Sequence, residues 1–404
     1  MRIAFTVNGP GEVAGWLRPL LRSLYGRLPD FHAYVFLVPD DYASGFEAQI
    51  VRDAFPQAHV FEPGAYVKFA LGASLAGAPS SVDAVQYLGG DLLHAARVHG
   101  RLGGRAATYK FSRPRYRKLF DRAFAVDERN ARELAAGGIP AERVAIVGNL
   151  AIDGALFEAE LVPERGAPQD GILIMPGSRP YEIENLIPFY FAVALRIRRE
   201  RPEIPIAFAI TPFTSRARVR AAIEGGGHPR MFGTRGRLID IDGGEYLTTP
   251  SQDVAIPLVR NALAAAKRAR LVLTIPGTKT IELAALGTPA VTITPLNAPE
   301  VVTINGPLTY LNRLPLVGVS LKRAVAVGVS RRFRYHTQPN MDAGRSLLRE
   351  MHGTVTPGRV ARVALDSYDD RAWIEATREA LVRLYRSHAG AADRMAQALI
   401  ALAA

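Results

Sequence analysis

Two short segments of this chain combine glycine turns with hydroxyl, cationic and acidic side chains, the groups that bind phosphates and sugars. They are residues 176–184 (PGSRPYEIE) and 276–282 (PGTKTIE). Each follows an apolar run and leads into an amphipathic stretch, so each predicts a strand, a tight turn and the start of a helix. Free backbone N–H groups and the positive end of the helix dipole favour an anion at such a turn. The pair therefore predicts a pocket for a nucleotide diphosphate, with side-chain donors from Ser178, Arg179, Thr278 and Thr280.

A third glycine loop, residues 9–15, follows the first predicted strand and contains Glu12. Ligands bind at such loops in open α/β sheets. Asp40 and Asp41 stand where the ribose-binding acid of a dinucleotide site would be, but the glycine spacing is one residue too long and Glu12 would point a carboxylate at the pyrophosphate. The loop therefore suits hydroxyl recognition better, and a nicotinamide oxidoreductase stays open as an alternative.

Asp91 follows an apolar run and the pair Gly89-Gly90, directly before Leu92-Leu93-His94. A carboxylate at this point can accept a proton from a substrate hydroxyl. Aspartate is also a preferred cap at the start of a helix. Both roles can hold at once. His94 and His99 are expected to make local hydrogen bonds.

The sequence offers little to bind a metal. The pair Asp240 and Asp242 matches a D-x-D pattern, but Gly243-Gly244 follows, which favours a solvated turn. The chain has no cysteine, which excludes disulfides and thiolate ligands. No zinc spacing and no G-x-x-x-x-G-K-[ST] phosphate loop occurs. We therefore expect neither a metal nor another cofactor.

Composition indicates a globular protein that is large enough for two domains. Of the 404 residues, 48% are hydrophobic and 22% charged, and no run of ~18 apolar residues could span a bilayer. The chain begins directly with a predicted strand and shows no signal segment, so a cytoplasmic location is the default. The net charge of +12 favours polyanionic partners such as nucleic acid, anionic lipid or phosphorylated substrates without choosing among them. The basic groups at 113–118, 196–201 and 331–334 fit solvated faces.

Alternating apolar runs and helical patterns predict two parallel, doubly wound sheets. The first series has strands at 2–7, 33–38, 84–88, 105–109 and 123–126. The second has strands at 172–175, 205–210, 271–275 and 290–294 and helices at 181–200, 254–268 and 279–286. A polar, proline-containing stretch at 161–170 is the predicted linker. The predicted domains are thus 1–160 and 161–369, two Rossmann-like α/β domains facing a cleft, followed by a helical tail at 370–404 that packs on the first domain or on a partner subunit.

An ordered set of motifs over nearly the whole chain resembles lipid-A-disaccharide synthase. The set comprises Gly11-Glu12, Asp91, Gly148-Asn149 through Asp153, Pro176-Gly177-Ser178-Arg179 with Glu182-Ile183, Gly277-Thr278 with Glu282, and Pro339-Asn340 with Ala343-Gly344-Arg345. The resemblance implies the two-domain glycosyltransferase fold called GT-B, with the UDP-sugar bound mainly by the C-terminal domain and no metal. It also implies an inverting transfer of a glucosamine derivative to a lipid-linked sugar in lipid A and lipopolysaccharide biosynthesis.

The resemblance also implies roles for individual residues. Asp91 matches the family's candidate general base, and Glu12 matches its N-terminal loop acid. Glu282 is similar to the acid that binds ribose hydroxyls. The implied nucleotide-sugar ligands are Gly177, Ser178, Arg179, Glu182, Gly277, Thr278, Thr280, Glu282 and Asn340.

This chain departs from the family pattern in its N-terminal half. Val13, Ala14 and Trp16 replace the polar residues of the family loop, Asn149 replaces a histidine, and the family's tryptophan-rich segment is absent. We therefore predict a related inverting glycosyltransferase with a lipid or lipid-linked acceptor, which works peripherally at the inner face of the cytoplasmic membrane and binds no nucleic acid. Residues 66–71 (YVKFAL) suit contact with a membrane surface.

Three alternatives remain open at this stage. A UDP-sugar 2-epimerase would share the two-domain architecture and the UDP pocket but would need no acceptor. A catalytically silent nucleotide-sugar binder would bind UDP and turn nothing over. The nicotinamide oxidoreductase is the third. A homodimer is also left open, because the helical tail could cross between subunits.

Overall fold

The computed structural model describes residues 1–40, 43–298 and 334–404. Asp41 and residues 331–333, which the sequence analysis named, lie outside these ranges. Packing divides the chain into two compact units. Unit 1 is Met1–Phe157 together with Tyr385–Ala404, and unit 2 is Glu158–Leu384. The residues of the predicted tail at 370–404 are therefore divided between the two units.

Unit 1 is built on a seven-stranded, wholly parallel sheet in the order β3-β2-β1-β4-β5-β6-β7. The strands are β1 (Arg2–Val7), β2 (His32–Leu37), β3 (His59–Phe61), β4 (Ala84–Tyr87), β5 (Arg105–Tyr109), β6 (Arg122–Ala125) and β7 (Val144–Ile146). The strand order reverses at β1, which pairs with β2 on one side and β4 on the other. The loops that follow β1 and β4 therefore lie side by side, where such sheets bind ligands.

Helices connect these strands. They are α1 (Pro10–Glu12), which continues through a π-helical turn (Val13–Leu17) into α2 (Arg18–Arg27), and then α3 (Glu47–Ala54), α4 (Pro63–Ala70), α5 (Leu92–Leu102), α6 (Glu128–Ala136) and α7 (Leu150–Glu158). Short 3₁₀ turns occur at Pro114–Tyr116 and Ala141–Arg143. Strands β1 and β2 are apolar and buried along nearly their whole length, as expected when helices cover both faces of a parallel sheet.

Unit 2 contains an eight-stranded sheet in the order β10-β11-β12-β9-β8-β13-β14-β15. Its strands are β8 (Ile172–Ile174), β9 (Ile206–Ala209), β10 (Arg237–Ile241), β11 (Gly244–Thr248), β12 (Ala255–Val259), β13 (Leu271–Thr274), β14 (Ala290–Pro295) and β15 (Arg349–Gly353). Strands β10, β11 and β12 pair antiparallel, and the other neighbours pair parallel. Here the order reverses at β8, which has β9 on one side and β13 on the other.

The remaining helices are α8 (Pro180–Glu200), α9 (Arg216–Gly225), α10 (Ala262–Arg268), α11 (Thr278–Ala285), α12 (Gln338–Ala343), α13 (Pro357–Asp369), α14 (Arg371–Tyr385) and α15 (Ala391–Ala403). The last of these, α15, belongs to unit 1. The long helix α8 lies in the unit 2 core, where Phe189, Tyr190 and Phe191 are fully buried. Within unit 1, α15 packs against α2.

The predicted fold class, two Rossmann-like α/β units, is confirmed. One element was predicted wrongly, since the helix expected at 254–268 is strand β12 followed by the shorter helix α10. Pro257 disfavours a helix interior, and Leu258 and Val259 pair with β9. Strands β3 and β7 were missed because each has only three residues and lacks a long apolar run.

No helix among the described residues is long and apolar enough to cross a membrane. The segment expected at a membrane surface lies largely in α4. Its aromatic residues, Tyr66 and Phe69, are 1% and 4% exposed and belong to the core of unit 1. Tyr66 also shares a hydrogen bond with His94 Nδ1, at 2.7 Å. The aromatic side chains therefore stabilise unit 1 and do not form an outward apolar face.

Candidate functional site

The two glycine turns that the sequence singled out lie next to each other in unit 2. Strands β8 and β13 pair in parallel, with Ile174 opposite Leu273, so both turns leave the same edge of the sheet. The Met175 N–H donates to Leu273 O (2.8 Å), and the Thr274 hydroxyl donates to Met175 O (3.0 Å). The predicted strand-turn-helix pattern is confirmed at both places, at the point where the strand order reverses.

The turn after β8 is closed by Glu182. Its Oε2 accepts the backbone N–H groups of Ser178 (2.8 Å) and Arg179 (2.9 Å), and its Oε1 accepts the hydroxyl of Tyr181 (3.0 Å). Gly177 has φ +111°, and a Cβ there would overlap the Glu182 carboxylate. Glu182 is buried and thus caps α8 itself, so the two amides predicted for a diphosphate already have an acceptor.

Tyr181 is held as a hydrogen-bond donor beside this cap. Burial, reinforced by the Glu182 carboxylate, raises the pKa of Tyr181 to about 12. The phenol therefore stays protonated at neutral pH and keeps its bond to Glu182.

The turn after β13 presents Gly277 and Thr278 on the surface at the start of α11. Gly277 has φ +148°, and the buried Thr280 hydroxyl donates to its carbonyl (2.7 Å). Glu282 is also buried and pairs with Lys279, whose Nζ lies 2.6 Å from Glu282 Oε2. Lys279 was not among the predicted ligands, although its spacing of three residues from Glu282 on a helix was a usable signal.

Carboxylates keep Lys279 charged. Burial alone would lower its pKa, but the charges of Glu282 and Glu158 outweigh it, and the pKa of Lys279 is raised. A cation is thus fixed in the first turn of α11, beside the two donors that the sequence predicted for an anion.

A cavity of about 230 Å³ lies beside these turns in unit 2. Most of its wall is apolar, and Arg179, Asn185 and His336 supply polar groups. The apolar lining residues include Leu186, Met231, Ile275, Ile293, Leu296 and Ala298. Of the predicted ligands, Arg179 and Glu182 line this cavity. Asn185 and His336 were missed by sequence analysis, because no local motif marks them.

Asn340 is fully buried and uses every hydrogen-bonding atom of its amide within the protein. Its Nδ2 donates to Leu348 O (2.9 Å) and Glu350 Oε1 (2.7 Å), and its Oδ1 accepts the N–H groups of Leu347 and Leu348 (both 2.8 Å). The side chain therefore fixes the loop that precedes β15. Its predicted contact with a nucleotide sugar stays a prediction.

In unit 1 the loops after β1 and β4 bring Glu12 and Asp91 into the wall of one cavity of about 330 Å³. Asp91 caps α5, as the sequence predicted, since its Oδ1 accepts the Leu93 N–H at 2.8 Å. Its Oδ2 lies 3.5 Å from an Arg113 nitrogen. The remaining lining residues include Asn8, Trp16, Tyr87, Phe111 and Ser112.

Two aromatic side chains of this cavity wall, Trp16 and Phe111, lie beside Lys110. The Lys110 ammonium lies 5.6 Å from the ring centre of Trp16 and 5.7 Å from that of Phe111. Burial lowers the pKa of Lys110, although the charge of Glu12 opposes the effect. Lys110 also has φ +67°, which is uncommon outside glycine and marks positions held by their surroundings. The position of Lys110 was not predicted, because no local sequence pattern marks its backbone conformation.

The other acidic candidates have structural surroundings. Asp40 accepts from Asn8 Nδ2 at 3.3 Å and lies against Gly9. Asp240 and Asp242 lie on the β10-β11 hairpin, as predicted, where Asp240 pairs with Arg216 and Asp242 with Arg165. In the described ranges, no group of three or more histidine or acidic side chains is arranged to hold a metal.

Asp153, from the motif that starts at Gly148, fixes the C-terminal helix of unit 1. Its carboxylate accepts the N–H groups of Gly390 (2.7 Å) and Ala392 (2.6 Å). Arg394 completes the contact by donating to Val147 O at 2.8 Å. This part of the motif therefore caps α15. His99 makes the local hydrogen bond that was expected, to Gly104 O at 3.0 Å, whereas the partner of His94 is Tyr66 of α4, which is distant in the chain.

No protein-family model matches the chain, and no curated protein matches it in sequence. Solved structures do match. An S. aureus MnaA structure with UDP is 14% identical (TM-score 0.57, covering 99% of this chain and 95% of that one). A UDP-N-acetylglucosamine 2-epimerase is 13% identical, with a TM-score of 0.53, and the match covers 94% of this chain and 93% of that one. The UDP-GlcNAc 2-epimerase from Methanocaldococcus jannaschii is 12% identical, with a TM-score of 0.50, and the match covers 99% of this chain and 100% of that one. These similarities show a shared fold over nearly the whole chain.

The resemblance to lipid-A-disaccharide synthase was wrong, because the similar solved structures include several that are named UDP-GlcNAc 2-epimerases. The glycosyltransferase activity and the role in lipid A and lipopolysaccharide synthesis, both inferred from the resemblance, fall with it. The lipid acceptor and the peripheral membrane location have no support from the comparisons or from the described residues. The physical reason is that the quoted motifs are glycine turns and helix caps, such as Gly177 with Glu182 and Asp91 with Leu93. Such turns and caps occur in Rossmann-like units of different activities.

Proposed function

We propose that this chain is a UDP-sugar 2-epimerase, an isomerase that acts on a nucleotide sugar without an acceptor. The observation that carries the proposal is that two carboxylates, Glu12 and Asp91, line one cavity of unit 1. The support from the comparisons is that proteins named as UDP-GlcNAc 2-epimerases share the fold over nearly the whole chain.

Inversion at C2 of a sugar needs two proton carriers. The C2–H bond must break on one face of the ring and form again on the other. Because no carbonyl neighbours C2 in a UDP-sugar, its proton is lost together with the leaving group at C1, which is UDP. One carboxylate takes the C2 proton as the C1–O bond breaks, and the C1–C2 double bond forms. When the UDP oxygen adds back to C1, the second group returns a proton to the opposite face of C2.

The unit 1 cavity suits these roles. We assign proton transfer to Asp91 and Glu12, with the Arg113 guanidinium 3.5 Å from Asp91 Oδ2. The rings of Trp16 and Phe111 offer flat apolar surfaces to the C–H face of a sugar.

Unit 2 suits the nucleotide. We assign the base to the apolar cavity beside α8 and the diphosphate to Arg179, Thr278 and Lys279 at the two turns. Cations at these turns stabilise the charge that grows on UDP as it leaves. A UDP-sugar is thus the proposed partner, and a cytoplasmic location and independence of metal stay predictions.

The test is exchange at C2. Purified protein is incubated in D₂O with UDP-GlcNAc alone, in a chelator, and followed by proton NMR. We expect loss of the C2 proton signal, deuterium at C2 and a second UDP-sugar epimeric at C2. A UDP-sugar that keeps all its C2 protons after prolonged incubation would refute the proposal.

Two variants test the residues. Asp91→Asn keeps the helix cap, since asparagine caps as well as aspartate, and removes the base. Glu12→Gln removes the other proton carrier. We expect each to lower the exchange rate by at least about 100-fold. Glu133→Gln on α6, an exposed glutamate paired with Arg129, is the matched control and should leave the rate unchanged.

A further inference from the structure

His336 lies in the wall of the unit 2 cavity, with Arg179 and Asn185 and the apolar residues described above. It is half-buried and stands two residues before the start of α12. No motif selected it, and neither the diphosphate nor the proton-transfer assignments use it.

The position of His336 is fixed by Glu350 of β15. This carboxylate accepts the N–H groups of His336 (2.8 Å) and Thr337 (2.9 Å), the Thr337 hydroxyl (2.6 Å) and Asn340 Nδ2 (2.7 Å). Four donors on one carboxylate hold the segment before α12 rigidly against β15. The imidazole is thereby held at the cavity before a ligand arrives, which lowers the entropy lost on binding.

The lining of the cavity decides which part of a nucleotide meets this ring. Its wall is mainly apolar, and of the two cations at the glycine turns Arg179 contributes to this wall and Lys279 does not. A pyrimidine ring is flat and uncharged, and a diphosphate is charged. The base therefore matches the wall that contains His336, and the diphosphate matches the turns.

We propose that the neutral imidazole of His336 contacts the pyrimidine ring of the bound UDP-sugar, so that protonation of this side chain weakens binding of the nucleotide. The inference rests on the proposed function, because it takes the unit 2 cavity as the nucleotide site. It adds the residue that recognises the base and a dependence of affinity on pH.

The charges around the ring agree with a neutral imidazole. Burial lowers the pKa of His336, the Glu350 carboxylate opposes this shift, and His352, whose ring centre is 5.1 Å away, adds to it. Arg179, Tyr181 and Glu182 are the charged or titratable groups that line the cavity from the start of α8. A base stacked over the ring would remove more water and disfavour the imidazolium further.

The linkage between protonation of His336 and ligand binding gives the sign of the pH dependence of the affinity. A ligand that binds the neutral form loses affinity as the pH falls through the pKa of His336, approaching about tenfold per pH unit below it. Uridine and UDP-GlcNAc are suitable probes. Uridine has no phosphate, and both phosphates of UDP-GlcNAc are diesters, so neither ligand changes charge in this range.

The experiment is calorimetric titration of the full chain with both ligands between about pH 5.5 and pH 8. We expect the affinity for both ligands to fall as the pH is lowered, and we expect this dependence of affinity on pH to be absent in His336→Gln. The glutamine variant keeps the backbone bond to Glu350. His32→Gln, an exposed histidine at the start of β2, is the control and should keep the slope. The pKa of His336, measured by NMR, should be lower in the presence of saturating UDP-GlcNAc than in its absence. The signal of His336 is identified among those of the eight histidines as the one that His336→Gln lacks.

Three results would overturn the inference. An unchanged slope in His336→Gln would exclude His336 and leave the proposed function intact. An affinity for UDP-GlcNAc that rises at low pH through His336 would show that an imidazolium binds phosphate. Absence of binding by either ligand at every pH would remove the nucleotide site, and with it the proposed function.

Discussion

Replacing Asn340 with alanine should destabilise unit 2, because the amide of this residue is a structural link. The variant loses two acceptor contacts, to the N–H groups of Leu347 and Leu348, and two donor contacts, to Leu348 O and Glu350 Oε1. Glu350 keeps three other donors, and Leu348 O keeps the Ser346 hydroxyl. The two N–H groups are therefore the ones left without a partner.

The magnitude follows from those two groups. A buried donor left without an acceptor costs about 1–3 kcal/mol, so we expect Asn340→Ala to lower the free energy of unfolding by about 2–6 kcal/mol. Gln338→Ala on the same helix removes one exposed hydrogen bond, to Asp342. This control should change stability by less than about 0.5 kcal/mol.

Trp373 provides the assay. The chain has two tryptophans, and Trp16→Phe leaves Trp373 alone, in unit 2, where its Nε1 donates to Leu347 O at 3.2 Å. Urea unfolding followed by the fluorescence of Trp373 therefore reports directly on the loop that Asn340 holds. If Asn340 acted only as a ligand contact, Asn340→Ala would weaken UDP binding and leave unfolding unchanged. A loss of less than about 1 kcal/mol would refute our reasoning.

Three further predictions concern the turns and the C-terminal helix. Gly177→Ala should lower the free energy of unfolding by about 1–2 kcal/mol more than Gly243→Ala. Both glycines have positive φ, but only a Cβ at position 177 would displace the capping carboxylate of Glu182. The midpoints of urea unfolding of the two variants measure this difference. Lys279→Met should cost about 2 kcal/mol by leaving buried Glu282 without its cation. Because the pKa of Lys279 is raised, this difference should stay constant in thermal unfolding up to about pH 9 and shrink only as the pH rises through the lysine pKa. Asp153→Ala should speed hydrogen exchange at the start of α15 severalfold by removing its cap, and unchanged exchange would contradict this.

Sequence-based inference succeeded where the cause of a structure is local. Both glycine turns, the cap at Asp91 and the β10-β11 hairpin depend on residues a few positions apart. The Glu182 cap could have been predicted for the same reason, because a glutamate at the third position of a helix is a capping signal. The helix expected at 254–268 failed because β12 forms only through its pairing with β9 and β11.

The family resemblance failed for a related physical reason. Its motifs describe how a strand turns into the start of a helix, and such turns occur in enzymes of different chemistry. Local patterns therefore indicated the fold of these segments and did not determine the reaction.

Hydrophobic periodicity and turn chemistry are properties of short segments, and they were enough to predict two Rossmann-like units and glycine turns that start helices. Three relations required the three-dimensional structure: Glu12 and Asp91 share a cavity, the Asn340 amide makes all its hydrogen bonds within unit 2, and Glu350 fixes His336 at the unit 2 cavity. These relations join residues that are distant in the chain or lie on different elements. They depend on which strands become neighbours and in what register, and no short stretch of sequence encodes that choice.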